Sequence, residues 1–323
     1  HQVASSVLYG AMLSVGAVVA AQAPLVQAPT SAGVALPGRL DERDSDELRE
    51  QESRVLSEFK TAYRRRLAAG IEVESRAFAA TLRAEPHDNE LITGDHRVRG
   101  VVEQLVVAAR RGPAASRALR LLVADQLAYA IVEAIHISPQ GVYMPSPEWE
   151  AYRRRLEVHG VLFGGSELDG GSFYSGSLLR RVWREFRQTR WADEAFVQFL
   201  EQGWTASATC EDGSDEFRRV IAEGEGYLRA HRRSPHRAEV MLAVARAYET
   251  WWSMSLAGPD DDYIDPARFA AGAEAARAHA LDYYTRLAAS GSSPMLRSYS
   301  ARLQSLLERR IDTQHRAFYC IYD

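Results

Sequence analysis

The stretch FRRVIAEGEGYLRAHRRSPHRAEVMLAVARAYETWW, Phe217 to Trp252, decides the fold. Phe217, Val220, Ile221, Gly224, Tyr227 and Leu228 recur at spacings of three and four, which lines one face of a helix. Ser234-Pro235 then sets a capping oxygen ahead of a proline, the signature of a new helix start. The same device occurs at Ser146-Pro147, Asp265-Pro266 and Ser293-Pro294. After Asp265-Pro266, Phe269, Ala273, Ala276, Ala280, Tyr283 and Leu287 repeat the helical spacing. Strand-like alternation is scarce, so the fold class expected is all-α. Upstream, further helices are expected at about 41–69, 71–84, 95–111, 114–137, 147–158, 178–188 and 191–202.

Working outward, the stretch resembles a tetratricopeptide-type unit: a helix ending in Tyr227-Leu228, a Ser-Pro turn, then a helix with alanines and the pair Ala247-Tyr248. A similar pattern returns at Tyr284, Leu287 and Pro294, after the insertion SMSLAGPDDDYID. The likeness is to the periplasmic tetratricopeptide-like proteins and covers Asp215 to Arg310. The chain departs from the family in its irregular period, its missing early tryptophan and the lack of a lipobox cysteine. The resemblance implies stacked helix pairs and a protein-binding surface, and it brings no catalytic residues.

Composition narrows the partners. The chain has 323 residues, 46% hydrophobic and 25% charged, with a formal charge of −4, which suits a large globular body and argues against nucleic acid. Lys60 is its single lysine, so basic character rests on arginine.

From Val3 to Ala21 no residue is charged, a length of about 28 Å as a helix, close to a hydrocarbon core of about 30 Å. Residues 1–23 therefore suit a transmembrane anchor, with a retained signal sequence and a buried helix as the other two readings. Ser6, Gly10, Ser14, Ala17 and Ala21 would place small side chains on one face of it, where a partner helix approaches closely. Residues 24–40 read as a proline- and glycine-bearing linker, followed by a helical region at 41–158, a glycine-rich loop at 159–177 and the tetratricopeptide-like domain at 178–323. This layout places the chain in a bacterial inner membrane, single-pass, with its body in the periplasm.

Chemistry is sparse. The nine histidines include no H-E-x-x-H, and His231 and His236 flank a turn without a third ligand, so no metal site is expected. HGVLFGGSELDGGSFYSG, His159 to Gly176, lacks both the phosphate-loop lysine and the nucleophile-elbow pattern, and no cofactor is expected. His159 is the histidine to test for a catalytic role. Cys210 and Cys320 stand outside any C-x-x-C motif; in an oxidising compartment they would pair, and otherwise they are two buried thiols. AYRRRL occurs at Ala62–Leu67 and Ala151–Leu156, read as two solvated basic helix ends or a strip for anionic lipid or an acidic partner. Trp183, Trp191, Trp204, Trp251 and Trp252 are candidate interface residues. Two functions follow from different classes. One is a non-enzymatic, membrane-anchored scaffold that stabilises a larger membrane complex of the barrel-assembly, envelope, respiratory or photosynthetic kind. The other is an envelope hydrolase or lytic enzyme built from scattered acidic residues and histidines.

Overall fold

Asp41 begins the folded chain's longest element, because its carboxylate accepts from the Asp44 amide at 2.8 Å and Glu42 and Asp44 complement the helix dipole. Helix α1, Glu42–Glu72, is 31 residues long, about 46 Å at the usual rise. Its outer face carries charge pairs one turn apart, Arg43–Glu47, Arg49–Asp46 and Arg54–Glu50. Its inner face is buried at Leu48 and Val55 near one end and at Tyr63, Leu67, Ala68 and Ile71 near the other. Those two groups enter two different cores. The computed structural model describes residues 38–83, 96–136, 147–165, 172–202, 216–258, 264–314 and 316–318.

The first core gathers the second half of α1 with α2 (Arg76–Arg83), α3 (His96–Ala108), α4 (Ala114–His136), α5 (Pro147–Glu157) and α6 (Ser177–Glu185). Residues of α4 are buried around much of its circumference, among them Leu119, Leu121, Leu122, Val123 and Leu127, so it forms the centre of this group. The two ends of the glycine-rich segment are strands, β2 (Phe163–Gly165) and β3 (Ser172–Tyr174), paired antiparallel. Phe163 packs edge-on to Trp149 at 5.5 Å and against Tyr174 at 5.6 Å, which fixes the hairpin to the helices.

The second core belongs to the array expected from Phe217–Trp252. Helix α7 (Arg190–Gln202) leads into α8 (Glu216–Ala230), α9 (Arg237–Met254), the short α10 (Pro266–Ala270), α11 (Ala273–Ser290) and α12 (Pro294–Glu308). Helices α8 and α9, α9 and α11, and α11 and α12 pack in succession, and α12 returns to α1. Gly224 permits the first of these contacts: a Cβ there would lie 2.4 Å from Val244 Cγ2. Asp265 and Ser293 cap α10 and α12 as expected, through the Ala267 and Leu296 amides at 3.0 and 3.2 Å. Ser234 differs. Its hydroxyl meets Tyr227 Oη at 2.6 Å and accepts from the His236 amide at 3.1 Å, so Ser-Pro shapes the turn and α9 starts two residues later.

The last residues close the array. Strand β1 (Gly38–Arg39) lies parallel to β4 (Ile311–Asp312), so the end of the expected linker joins the body through backbone pairing. Ser253 donates to Asp312 at 2.8 Å and Thr250 to the Ala317 carbonyl at 2.7 Å. The expected membrane anchor at 1–23, with Ser6, Gly10, Ser14, Ala17 and Ala21, lies outside the described residues, as do Cys210, Cys320 and Trp204. Among the described residues no helix is long and apolar enough to cross a membrane.

Candidate functional site

Where the first core meets the start of the array, a cleft of about 710 Å³ opens between α1, α4, α7 and the α8–α9 turn. One wall is α1, whose Gly70 lets its neighbours come close: a Cβ there would lie 2.9 Å from Leu119 Cδ2 and 3.0 Å from the Trp191 ring. Trp191 thus lies against the α1 backbone, 3% exposed, with the Arg190 guanidinium 4.4 Å above its ring. Val73, at the C-terminal end of α1, is 90% exposed at the cleft's mouth.

Four charged side chains from three elements converge on the floor. Arg66 makes a fork onto Glu194, Nε to Oε1 at 2.6 Å and Nη2 to Oε2 at 2.9 Å, and lies 3.9 Å from Glu239. His236 sits between the same carboxylates, 3.6 Å from Glu194 and 3.5 Å from Glu239. Burial presses the His236 imidazole towards its neutral form, but Glu239 and Glu194 more than offset this and hold its pKa above the ordinary histidine value. The contact with Glu239 joins His236 Nδ1 to Glu239 Oε2 at 3.5 Å, a long charge pair, and among the described residues these two buried atoms have no hydrogen-bond partner besides each other. Beside the cleft a row of rings runs from Trp183 to Phe196 at 4.7 Å, Phe196 to Tyr227 at 4.6 Å and Tyr227 to His231 at 4.4 Å. Asp193 faces His231 at 3.7 Å.

Two other polar groups are internal. Asp125 on α4 is fully buried and accepts from Tyr174 Oη at 2.7 Å; burial pushes its pKa up to about 7, with the Tyr174, Leu179 and Gln126 hydrogen bonds opposing the rise. Arg246 on α9 pairs with Glu52 of α1 at 2.6 Å and Glu201 of α7 at 2.7 Å, which joins the array to the spine. Both serve assembly, since each joins one element to another.

The expected interface tryptophans separate. Trp252 is fully buried and Trp191 nearly so, which makes them packing side chains and removes them from a docking face. Trp183 and Trp251 are half-buried, and Trp251 is held by a hydrogen bond to the Phe269 carbonyl at 3.1 Å with Arg218 over its ring. The first AYRRRL copy also departs from expectation. It lies inside α1 and not at its end, so Arg66 turns into the cleft while Tyr63 and Leu67 enter the core. In the second copy Tyr152 and Leu156 are buried likewise, and Arg153 and Arg155 pair with Glu150 and Glu103. His159 Nδ1 contacts the Arg110 guanidinium at 2.8 Å. Among the described residues no group of three or more His, Cys, Asp or Glu side chains is placed to hold a metal ion.

Of the floor residues His236 stood out in the sequence, and Arg66 only as part of AYRRRL. Glu194 and Glu239 lie on different helices from Arg66 and carry no spacing signal. No family model, curated protein or solved structure matches this chain.

Proposed function

We propose that the chain is a non-enzymatic helical scaffold, an accessory or stabilising subunit of a larger membrane protein complex, and that the cleft is where it holds its partner. The observation that carries this is the Arg66 fork onto Glu194 on the cleft floor. Both carboxylate oxygens are occupied by a guanidinium, so Glu194 is fixed as a strut between α1 and α7 and is poorly placed to take a proton from a substrate. The successive packing of α8, α9, α11 and α12 supports a tetratricopeptide-like origin for the array. In this proposal residues 1–23 attach the chain to the inner membrane and the body faces the periplasm.

Extraction of the full chain in mild detergent, followed by native sizing and mass spectrometry, tests the proposal. A particle well above 36.0 kDa with the same co-purifying chains in repeated preparations is the expected result, and a soluble monomer would overturn it. One observation favours the hydrolase alternative, the His236–Glu239 pair in the cleft, Nδ1 facing Oε2 at 3.5 Å. Turnover of a cell-envelope polymer that disappears in Glu239→Gln would establish it.

A further inference from the structure

We propose that the corner where α3 and α5 end docks on an anionic bilayer, its arginines on the lipid phosphates and its exposed aliphatic side chains at the headgroup boundary. This goes beyond the scaffold reading and does not depend on what the cleft holds.

Two contacts bring the ends of α3 and α5 together. Glu103 of α3 pairs with Arg155 of α5 at 3.5 Å, and Arg110, just past α3, reaches Nδ1 of His159, just past α5, at 2.8 Å. Glu103, Val107 and Arg110 are spaced four and three apart, so they follow one face of α3 and Val107 lies between the two contacts. The turn after α5 is held from several sides. The His159 and Val161 amides donate to the Leu156 carbonyl at 2.9 and 3.2 Å, and Arg181 donates to the His159 carbonyl at 3.5 Å. The Leu162 amide donates to Ser177 Oγ at 3.0 Å while its carbonyl accepts from the Ser175 amide at 3.0 Å. Val158 and Leu162 are thereby fixed in the open, 77% and 47% exposed, with Val107 46% exposed beside them. Among the described residues five large apolar side chains are exposed, and three of the five stand at this corner. Apolar groups gathered on ordered backbone mark a surface that something covers.

The charge around them says what. Arg110 and Arg111 follow Val107 by three and four residues, and Arg154 precedes Val158 by four, so each aliphatic has an arginine one turn away. All three arginines are exposed. The neighbouring acids are engaged by other arginines: Glu103 by Arg155, Glu150 and Glu157 by Arg153 at 3.0 and 3.7 Å, Glu185 by Arg181 at 3.2 Å and Glu74 by Arg120 at 2.6 Å. Among the described residues Arg110, Arg111 and Arg154 therefore have no carboxylate within ion-pair distance. Uncompensated guanidinium groups beside exposed aliphatics suit an anionic interface, where apolar contact and attraction to phosphate add. The shape favours lipid over an acidic protein. Val158 and Gly160 are both exposed, and Gly160 turns the chain at φ 81°, so the segment projects as a tip. A fluid headgroup layer admits such a tip directly, whereas a protein would have to offer a matching hollow.

The test is hydrogen–deuterium exchange on the full chain with two kinds of vesicle, phosphatidylcholine alone and phosphatidylcholine mixed with phosphatidylglycerol. Any insertion of residues 1–23 is open to both, so the difference between them reports on the corner. Exchange at 107–112 and 157–162 should slow on the phosphatidylglycerol vesicles only, by about fivefold or more, and recover as salt rises. Arg111→Gln/Arg154→Gln, at exposed and unpaired positions, should abolish most of that protection, and Val158→Ser should reduce it at 157–162. Unfolding midpoints equal to wild type would show that both variants keep the fold. No protection at the two segments, equal protection on both kinds of vesicle, or unchanged protection in the double variant would overturn the proposal. Protection of the same segments in the native complex but not on vesicles would also overturn it and assign the corner to an acidic protein.

Discussion

Gly224 and Gly226 lie two positions apart in α8, and replacing each with alanine should move stability in opposite directions. Alanine gains up to about 1 kcal/mol over glycine in a helix interior because less backbone freedom is lost on folding. At Gly226 a new methyl meets nothing within 4 Å, so this gain should be kept. At Gly224 the methyl would lie 2.4 Å from Val244 Cγ2, with Leu200 Cδ2 at 3.6 Å and Val240 Cγ1 at 3.7 Å closing the other sides. Carbon atoms pack at about 3.5–4.0 Å, so α8 and α9 would have to move apart by more than about 1 Å. Overpacking of this kind costs about 1–3 kcal/mol, which leaves Gly224→Ala neutral to about 2 kcal/mol less stable than wild type. The gap between the two variants isolates the steric part, about 1–3 kcal/mol. Urea unfolding followed by circular dichroism, with midpoints compared at equal slope, measures it. If Gly224→Ala stabilises as much as Gly226→Ala does, α8 and α9 do not meet face to face there and the array is built differently.

Three more perturbations bear on the buried groups. Asp125 is held near pH 7 in the fold against about 3.9 unfolded, so its favourable contribution is full below about pH 4 and is lost as pH rises through 7. Between about pH 4 and pH 8 wild type should therefore lose up to about 4 kcal/mol that Asp125→Asn does not lose, and parallel urea-midpoint profiles for the two would contradict this. His236, also raised, loses stability in the same direction; comparing the two chains cancels it. Arg246→Met should cost about 3–5 kcal/mol, because it removes the buried guanidinium that Glu52 and Glu201 share, and a loss under about 1 kcal/mol in the same assay would argue against the ion triad. Glu239→Gln should leave partner retention in the native complex within about twofold, since the amide that replaces the carboxylate still hydrogen-bonds; loss of the complex would make that carboxylate's charge essential.

Local order could be read from the chain and convergence could not. The three-four spacing from Phe217 to Leu228 marks the buried face of α8, and the capping oxygens of Asp265 and Ser293 mark real helix starts. Ser234 misled because the same hydroxyl can cap a helix or brace a turn, and Tyr227 Oη recruits it to the turn. Periodicity shows which face of a helix is buried but not what covers it, so Trp191 and Trp252 looked available for docking until α1 and the array were seen to cover them. β1 and β4 are two residues each and pair across the length of the body, too short for any pattern to announce. The cleft was least legible. Arg66, Glu194 and His236 meet only because Gly70 lets Trp191 close on α1 and Arg246 holds α9 to the same helix.

The most direct test of the account is hydrogen–deuterium exchange on the full chain, measured alone and within its native complex. A scaffold that holds its partner in the cleft should show slowed exchange in the complex at 187–194 and 231–239, and at the C-terminal end of α1 around Val73. Unchanged exchange in those segments, with protection on the outward faces of α11 and α12 instead, would show that the partner binds elsewhere and that the cleft is not the docking site.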